Sequence, residues 1–172
     1  MKAVLIALVV LALSPVAAQQ RQRISPHEVH EFTADGSKIS FNYGRPSKRG
    51  RQIWGGTSDV LVPWGKWWMA GADESTIITT EHDIVLGGTL TVPKGQHTLY
   101  TLPHPQWFDL IVNKEVGQFH TVYRPEQDLG RVTMTLRKLT EPVEMLTYSV
   151  EDGQLRLAWD DREYSTTVTV RK

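Results

Sequence analysis

Residues Ser75 to Asn113 read STIITTEHDIVLGGTLTVPKGQHTLYTLPHPQWFDLIVN, and this stretch decides the fold class. Ser75–Thr80 is rich in β-branched side chains, which favour the pleated backbone. Ile84–Leu86 and Thr89–Val92 flank Gly87-Gly88, a pair suited to the positive φ angles of a two-residue hairpin turn. Pro93-Lys94-Gly95 makes a further turn, and Pro103-His104-Pro105 separates Gln96–Leu102 from Trp107–Asn113. Apolar runs this short, cut this often by turn residues, predict consecutive antiparallel strands.

The same pattern extends outward in both directions. Upstream, His27–Thr33 and Lys38–Tyr43 flank Asp35-Gly36, a second strong hairpin signal. Downstream, Arg131–Leu139 alternates, with Val132, Met134 and Leu136 on one face and Thr133, Thr135 and Arg137 on the other. Met145–Val150 and Gln154–Trp159 flank Glu151-Asp152-Gly153, and Glu163–Val170 places Tyr164, Thr166, Val168 and Val170 on one face. No segment keeps a helical period. Lys114–Gly130 is the least regular part, with a short helix or loop expected near Pro125–Asp128. The expectation is one all-β domain over 27–172: an antiparallel β-sandwich, jelly-roll or barrel-like, of roughly ten short strands.

Tyr43–Thr76 interrupts this pattern. It carries four of the six tryptophans, three arginines and several glycines. Long loops in compact domains are commonly functional or disordered, and tryptophans argue against disorder. A structured loop laying rings and cations over the body is expected. Trp107 and Trp159, inside strands, read as core. Of Trp67 and Trp68, one should pack beneath the loop and the other lie near the surface. Trp54, Trp64 and Trp68 are candidate flat surfaces for a ligand. Arg45 and Arg51 offer paired donors for a carboxylate, sulfate or phosphate, or tie the loop to Asp59, Asp73 or Glu74. Lys48 and Arg49 read as solvent-exposed.

The N-terminus reads as a secretory signal over residues 1–18. Lys2 precedes the apolar run Ala3–Leu13, then Ser14-Pro15 and the small residues Val16-Ala17-Ala18. The run is short for a bilayer about 30 Å thick. Residues 19–26 are polar and read as a flexible lead-in. The mature protein is therefore expected in the periplasm or outside the cell, with no integral membrane segment. Cysteine is absent, so no disulfide or lipid-anchored cysteine is available. The chain has 19 basic and 19 acidic residues, and loss of Lys2 leaves the mature form near −1. That balance speaks against nucleic acid as a partner.

Catalytic signatures are few. His27-Glu28-Val29-His30 falls one residue short of a zinc-protease motif and lies in a predicted strand, so solvated edge histidines and no metal are expected. Nucleotide-binding glycine motifs and serine-hydrolase elbows are missing, so no cofactor is expected. A carboxylate pair drawn from acids such as Asp73, Glu74, Asp109, Asp160 and Asp161 would permit hydrolysis of a glycosidic bond.

Tyr43-Gly44-Arg45-Pro46, Trp54-Gly55-Gly56, Leu61-Val62-Pro63-Trp64-Gly65 and Gly71-Ala72-Asp73-Glu74 together resemble a bacterial secreted family catalogued as domain of unknown function 2911. Pro93-Lys94-Gly95, Thr98 to Pro103, Trp107, Asn113-Lys114, Arg131-Val132, Trp159 and Ser25-Pro26 extend the resemblance over about residues 25–170. It implies an exported, mostly β domain and no established activity. The chain departs from the family pattern at Met69, where arginine is usual, and at Asp73, where asparagine is usual. If these positions line a polar site, the change puts a strict anion site built on that arginine in question.

The leading expectation is a non-catalytic protein that binds a small molecule, glycan or protein. Its surface would comprise Arg45, Arg51, Trp54, Trp64, Trp68, Asp73 and Glu74, joined by Asn113 and Lys114. The alternative is a hydrolase of envelope or dietary polymers using Glu74 with Asp73. A third reading is purely architectural, with buried rings throughout and no concave pocket.

Overall fold

The computed structural model describes residues 24–119 and 121–171. The proposed signal, most of the lead-in and His120 lie outside the described residues. Eleven strands follow in chain order: β1 (His27–Ala34), β2 (Ser37–Gly44), β3 (Trp54–Gly55), β4 (Val62–Pro63), β5 (Thr76–Thr80) and β6 (Asp83–Leu86). They continue as β7 (Leu90–Val92), β8 (Gly95–Pro103), β9 (Trp107–Asn113), β10 (Asp128–Glu151) and β11 (Gln154–Arg171). A 3-10 turn at Pro125–Gln127 precedes β10.

Nine strands form one antiparallel sheet in the order β1-β2-β5-β8-β9-β10-β11-β6-β7. The hairpins fall where turn chemistry places them. Asp35-Gly36, Gly87-Gly88 and Asp152-Gly153 all take positive φ at both residues, the geometry that matches the twist of paired strands. The expected antiparallel, sandwich-like body is present, and its sheet curls over without closing.

Two strands differ from the expected short pieces. Arg131–Leu139 and Met145–Val150 belong to a single 24-residue strand, and Gln154–Trp159 and Glu163–Val170 to a single 18-residue strand. Register shifts between Lys138, Val143 and Thr147 bend this hairpin in the middle. Irregular pairing of this kind turns a strand without ending it. One half of β10 pairs with β9, and the other reaches back over the sheet. The bend thereby brings Tyr148 onto β2, where its ring stacks on Phe41 at 4.8 Å and meets Tyr43 edge-on at 5.0 Å.

The alternation read in β10 is present: Val132 and Met134 are buried while Thr133 and Thr135 are exposed. The core is strongly aromatic, with Phe41, Tyr43, Phe108, Tyr148, Trp159 and Tyr164 almost fully enclosed. A polar seam holds the β1–β2 edge to the bend. Tyr148 N–H donates to Tyr43 Oη (3.1 Å), which faces His30 Nδ1 (3.3 Å), and His30 Nε2 meets Glu28 Oε2 (2.8 Å). Arg45 then donates to Glu28 Oε2 (2.7 Å), Leu146 O (3.1 Å) and Thr147 Oγ1 (2.9 Å).

Candidate functional site

The chain leaves the sheet at Gly44 and rejoins it at Thr76. The departure depends on Gly44: a Cβ there would sit 2.1 Å from Ala72 O. Near the return, Ala70 adopts φ +53. Such strain persists only where neighbours hold it. Here Thr76 Oγ1 (3.0 Å) and Tyr148 Oη (3.1 Å) both donate to Ala70 O. Between these ends, β3 and β4 pair in parallel and Trp68 exchanges backbone hydrogen bonds with Thr101 at 2.8 and 2.7 Å.

The loop tryptophans form an aromatic cluster. Trp54, 6% exposed, meets Trp64, Trp68, Phe108, Trp159 and Tyr164 at ring separations of 5.4 to 6.3 Å. Trp68 stacks on Trp159 at 5.9 Å, and the Arg162 guanidinium lies 4.8 Å over Trp64. Trp67, its neighbour, points the other way and is 40% exposed. The expected division of Trp67 and Trp68 is therefore observed. Trp107 differs from expectation. It is 41% exposed and stacks on His104 at 4.6 Å, because its side of β9 faces away from the core that Phe108 enters.

Beneath one edge of the loop lies a cleft of about 620 Å³. Trp68, Trp159, Val62, Leu61 and Met69 supply its apolar lining. Arg49, Arg51 and Ser47 supply polar groups, and Asp73 also lines it. Arg49 takes φ +49 in a tight turn that is fastened to the body by its own N–H, which donates to Glu144 Oε1 (2.8 Å). Arg51 is held by two loop carbonyls: Nη2 donates to Ser47 O (2.5 Å) and Nε to Lys48 O (3.1 Å). A guanidinium fixed in this way is preorganised for an anionic group.

The sequence-predicted residues are distributed over several places. Arg51, Trp68 and Asp73 meet at this cleft, whereas Trp54 and Trp64 brace it from behind. Arg45 belongs to the polar seam, where it is tied to Glu28, Leu146 and Thr147 rather than lining the cleft. Glu74 lines a different, smaller cavity with His27. Asn113 is fully buried, and its amide donates to Arg124 O and Asp128 Oδ1, each at 2.9 Å. Lys114 is exposed beside it.

Two readings change and one is extended. Lys48 is ion-paired to Asp160, which raises the lysine's pKa, and is only 27% exposed. His27 and His30 are half-buried with carboxylate neighbours rather than solvated. Trp159 reaches the cleft as well as the core. Pro46, Ser47, Arg49 and Met69 also join the cleft although sequence reasoning did not select them for a site. Their adjacency to Arg45, Arg51 and Trp68 was the available signal. Both positions that depart from the family pattern, Met69 and Asp73, line this cleft.

Fold and site together define an all-β protein whose aromatic loop walls an open cleft. The chain belongs to the family described as protein of unknown function DUF2911, whose model matches residues 25–168. No curated protein and no solved structure shows significant similarity to it.

Proposed function

We propose that this protein binds an amphiphilic small molecule in the cleft. The apolar body of the ligand lies against Trp68, Trp159 and Met69, and its anionic end meets Arg49 and Arg51. The observation that carries this reading is the combination of a concave apolar surface with a guanidinium clamped by two carbonyls. Small-molecule sites have this character: mostly apolar walls and a few placed polar groups. Asp73 and Glu74 line separate cavities, which favours binding over hydrolysis by that pair.

The test uses 8-anilinonaphthalene-1-sulfonate, a flat apolar probe with one anionic group. Saturable binding with quenching of tryptophan emission is expected. The double substitution Arg49→Ala, Arg51→Ala should weaken it about tenfold or more, since a hydrogen bond to a charged group contributes about 1.5–3 kcal/mol. Equal binding by the double variant would remove the clamp from the proposal.

We propose that this binding takes place outside the cytoplasm, on the strength of the Lys2–Ala18 signal pattern. The protein recovered from periplasmic or culture fluid should begin at Gln19. An intact Met1 in the cytoplasmic fraction would end that proposal.

A further inference from the structure

The second cavity, about 170 Å³, lies on the other side of the loop's return, where β1, β2 and the 115–119 segment approach one another. Its polar lining is dominated by acceptors. Ser75, the hydroxyl in its wall, already donates its proton to Gln118 O at 2.8 Å.

Three buried side-chain atoms of its lining have no hydrogen-bond partner among the described residues: His27 Nδ1, Asn42 Oδ1 and Gln118 Oε1. The orientation of Gln118 is fixed by its other end. Nε2 donates to Tyr100 Oη (2.8 Å) and to Glu115 O (3.2 Å), and Tyr100 gives its own proton to Val122 O (2.8 Å). Oε1 is thus an acceptor by necessity. Buried acceptors without donors are uncommon and costly, and each such group requires a reason.

The fourth polar group is the Glu74 carboxylate, whose Oε2 stands 3.3 Å from His27 Nδ1, within ion-pair range. Two ligand atoms each about 2.1 Å from one ion at a tetrahedral angle lie about 3.4 Å apart. The spacing of this pair therefore suits a shared cation.

We propose that this cavity is a metal site in which His27 Nδ1, Glu74, Asn42 Oδ1 and Gln118 Oε1 bind a divalent ion. One imidazole with oxygen donors and no thiolate selects a borderline or hard ion of the Mn²⁺ or Zn²⁺ kind. Among the described residues, no three His, Cys, Asp or Glu side chains gather at one point. Half of this set is amide carbonyl, which is why ligand spacing in the sequence does not announce it. The site is separate from the cleft and needs no occupant there.

The test titrates the full chain, after dialysis against EDTA, with MnCl₂, ZnCl₂, CaCl₂ and MgCl₂ separately. Calorimetry, melting temperature and, for Mn²⁺, loss of the free-ion paramagnetic resonance signal are read. One Mn²⁺ or Zn²⁺ per chain is expected, with a rise of several degrees in Tm at saturation. His27→Ala should lower affinity tenfold or more. Asn42→Leu and Gln118→Met provide tests that do not depend on His27→Ala folding. Asn42→Leu removes an unsatisfied acceptor, so it should raise the Tm of the metal-free protein while weakening metal binding; Gln118→Met, which also loses the Nε2 hydrogen bonds to Tyr100 and Glu115, should weaken metal binding and is read for that alone. No saturable binding of any ion at millimolar concentration would overturn the proposal and leave the cavity to water. Undiminished binding in the three variants would overturn it equally.

Discussion

The Gly44–Thr76 loop and the β10–β11 hairpin both enclose large aromatic rings, by opposite means. The hairpin does so mainly by alternation: on either side of its bend, every second side chain of the ladder, as at Val132 and Met134 or at Tyr164, Thr166 and Val168, faces inward. The loop has almost no ladder. It is held by strained backbone clamped at Ala70, by the close approach at Gly44 and by rings packed edge to face around Trp54. In the hairpin, backbone pairing decides which rings are buried. In the loop, the rings decide the backbone. An irregular segment can then be as rigid as a strand and still leave an open edge, which a continuous ladder does not.

The largest expected effect tests this contrast directly. Trp54→Ala should cost about 3–5 kcal/mol, as for other buried aromatic truncations, and should loosen the whole loop. The same change at Trp107, in a regular strand but 41% exposed, should cost less than about 1 kcal/mol. Urea unfolding of both variants, followed by far-UV dichroism, measures the difference. Equal costs at the two sites would show that the loop rings are ornamental and that the sheet alone carries stability.

The ladder half of this comparison was legible in the sequence. Period-two alternation and the pairs Asp35-Gly36, Gly87-Gly88 and Asp152-Gly153 locate the hairpins because both signals are local. The bend of β10 was not legible. The stretch between Leu139 and Met145 reads as a gap between two strands, and only pairing with β11 shows one continuous strand. Trp107 was misplaced for a related reason: strand membership does not say which face is core, and Phe108 took it. The loop's composition announced a site, but its partners came from afar. Glu28 lies on β1, Asp160 on β11, and Asn42 and Gln118 on segments that no motif connects. Side chains that meet only through tertiary folding leave no spacing to read.

A smaller effect should sharpen the comparison at the seam where the two regions join. The Arg45 guanidinium, 16% exposed, links the start of the loop to Glu28 on β1 and to Leu146 and Thr147 on the bent hairpin. Replacing it by Met keeps much of the side-chain volume and removes three hydrogen bonds, so Arg45→Met should cost about 1.5–3 kcal/mol at pH 7. That cost should shrink in acid. The His30 hydrogen bond, followed by the Arg45 guanidinium, holds the Glu28 carboxyl below its usual pKa. A carboxylate with a depressed folded-state pKa stabilises the protein fully above its unfolded value, about 4.3. That contribution disappears as pH falls through the lower, folded value. The wild-type protein loses it on acidification, whereas the variant, lacking the guanidinium, has less to lose. Urea midpoints at pH 7 and pH 3 should therefore converge between the two proteins. If the gap is the same at both pH values, Arg45 acts through Leu146 and Thr147 alone, and the seam is fastened from the hairpin side only.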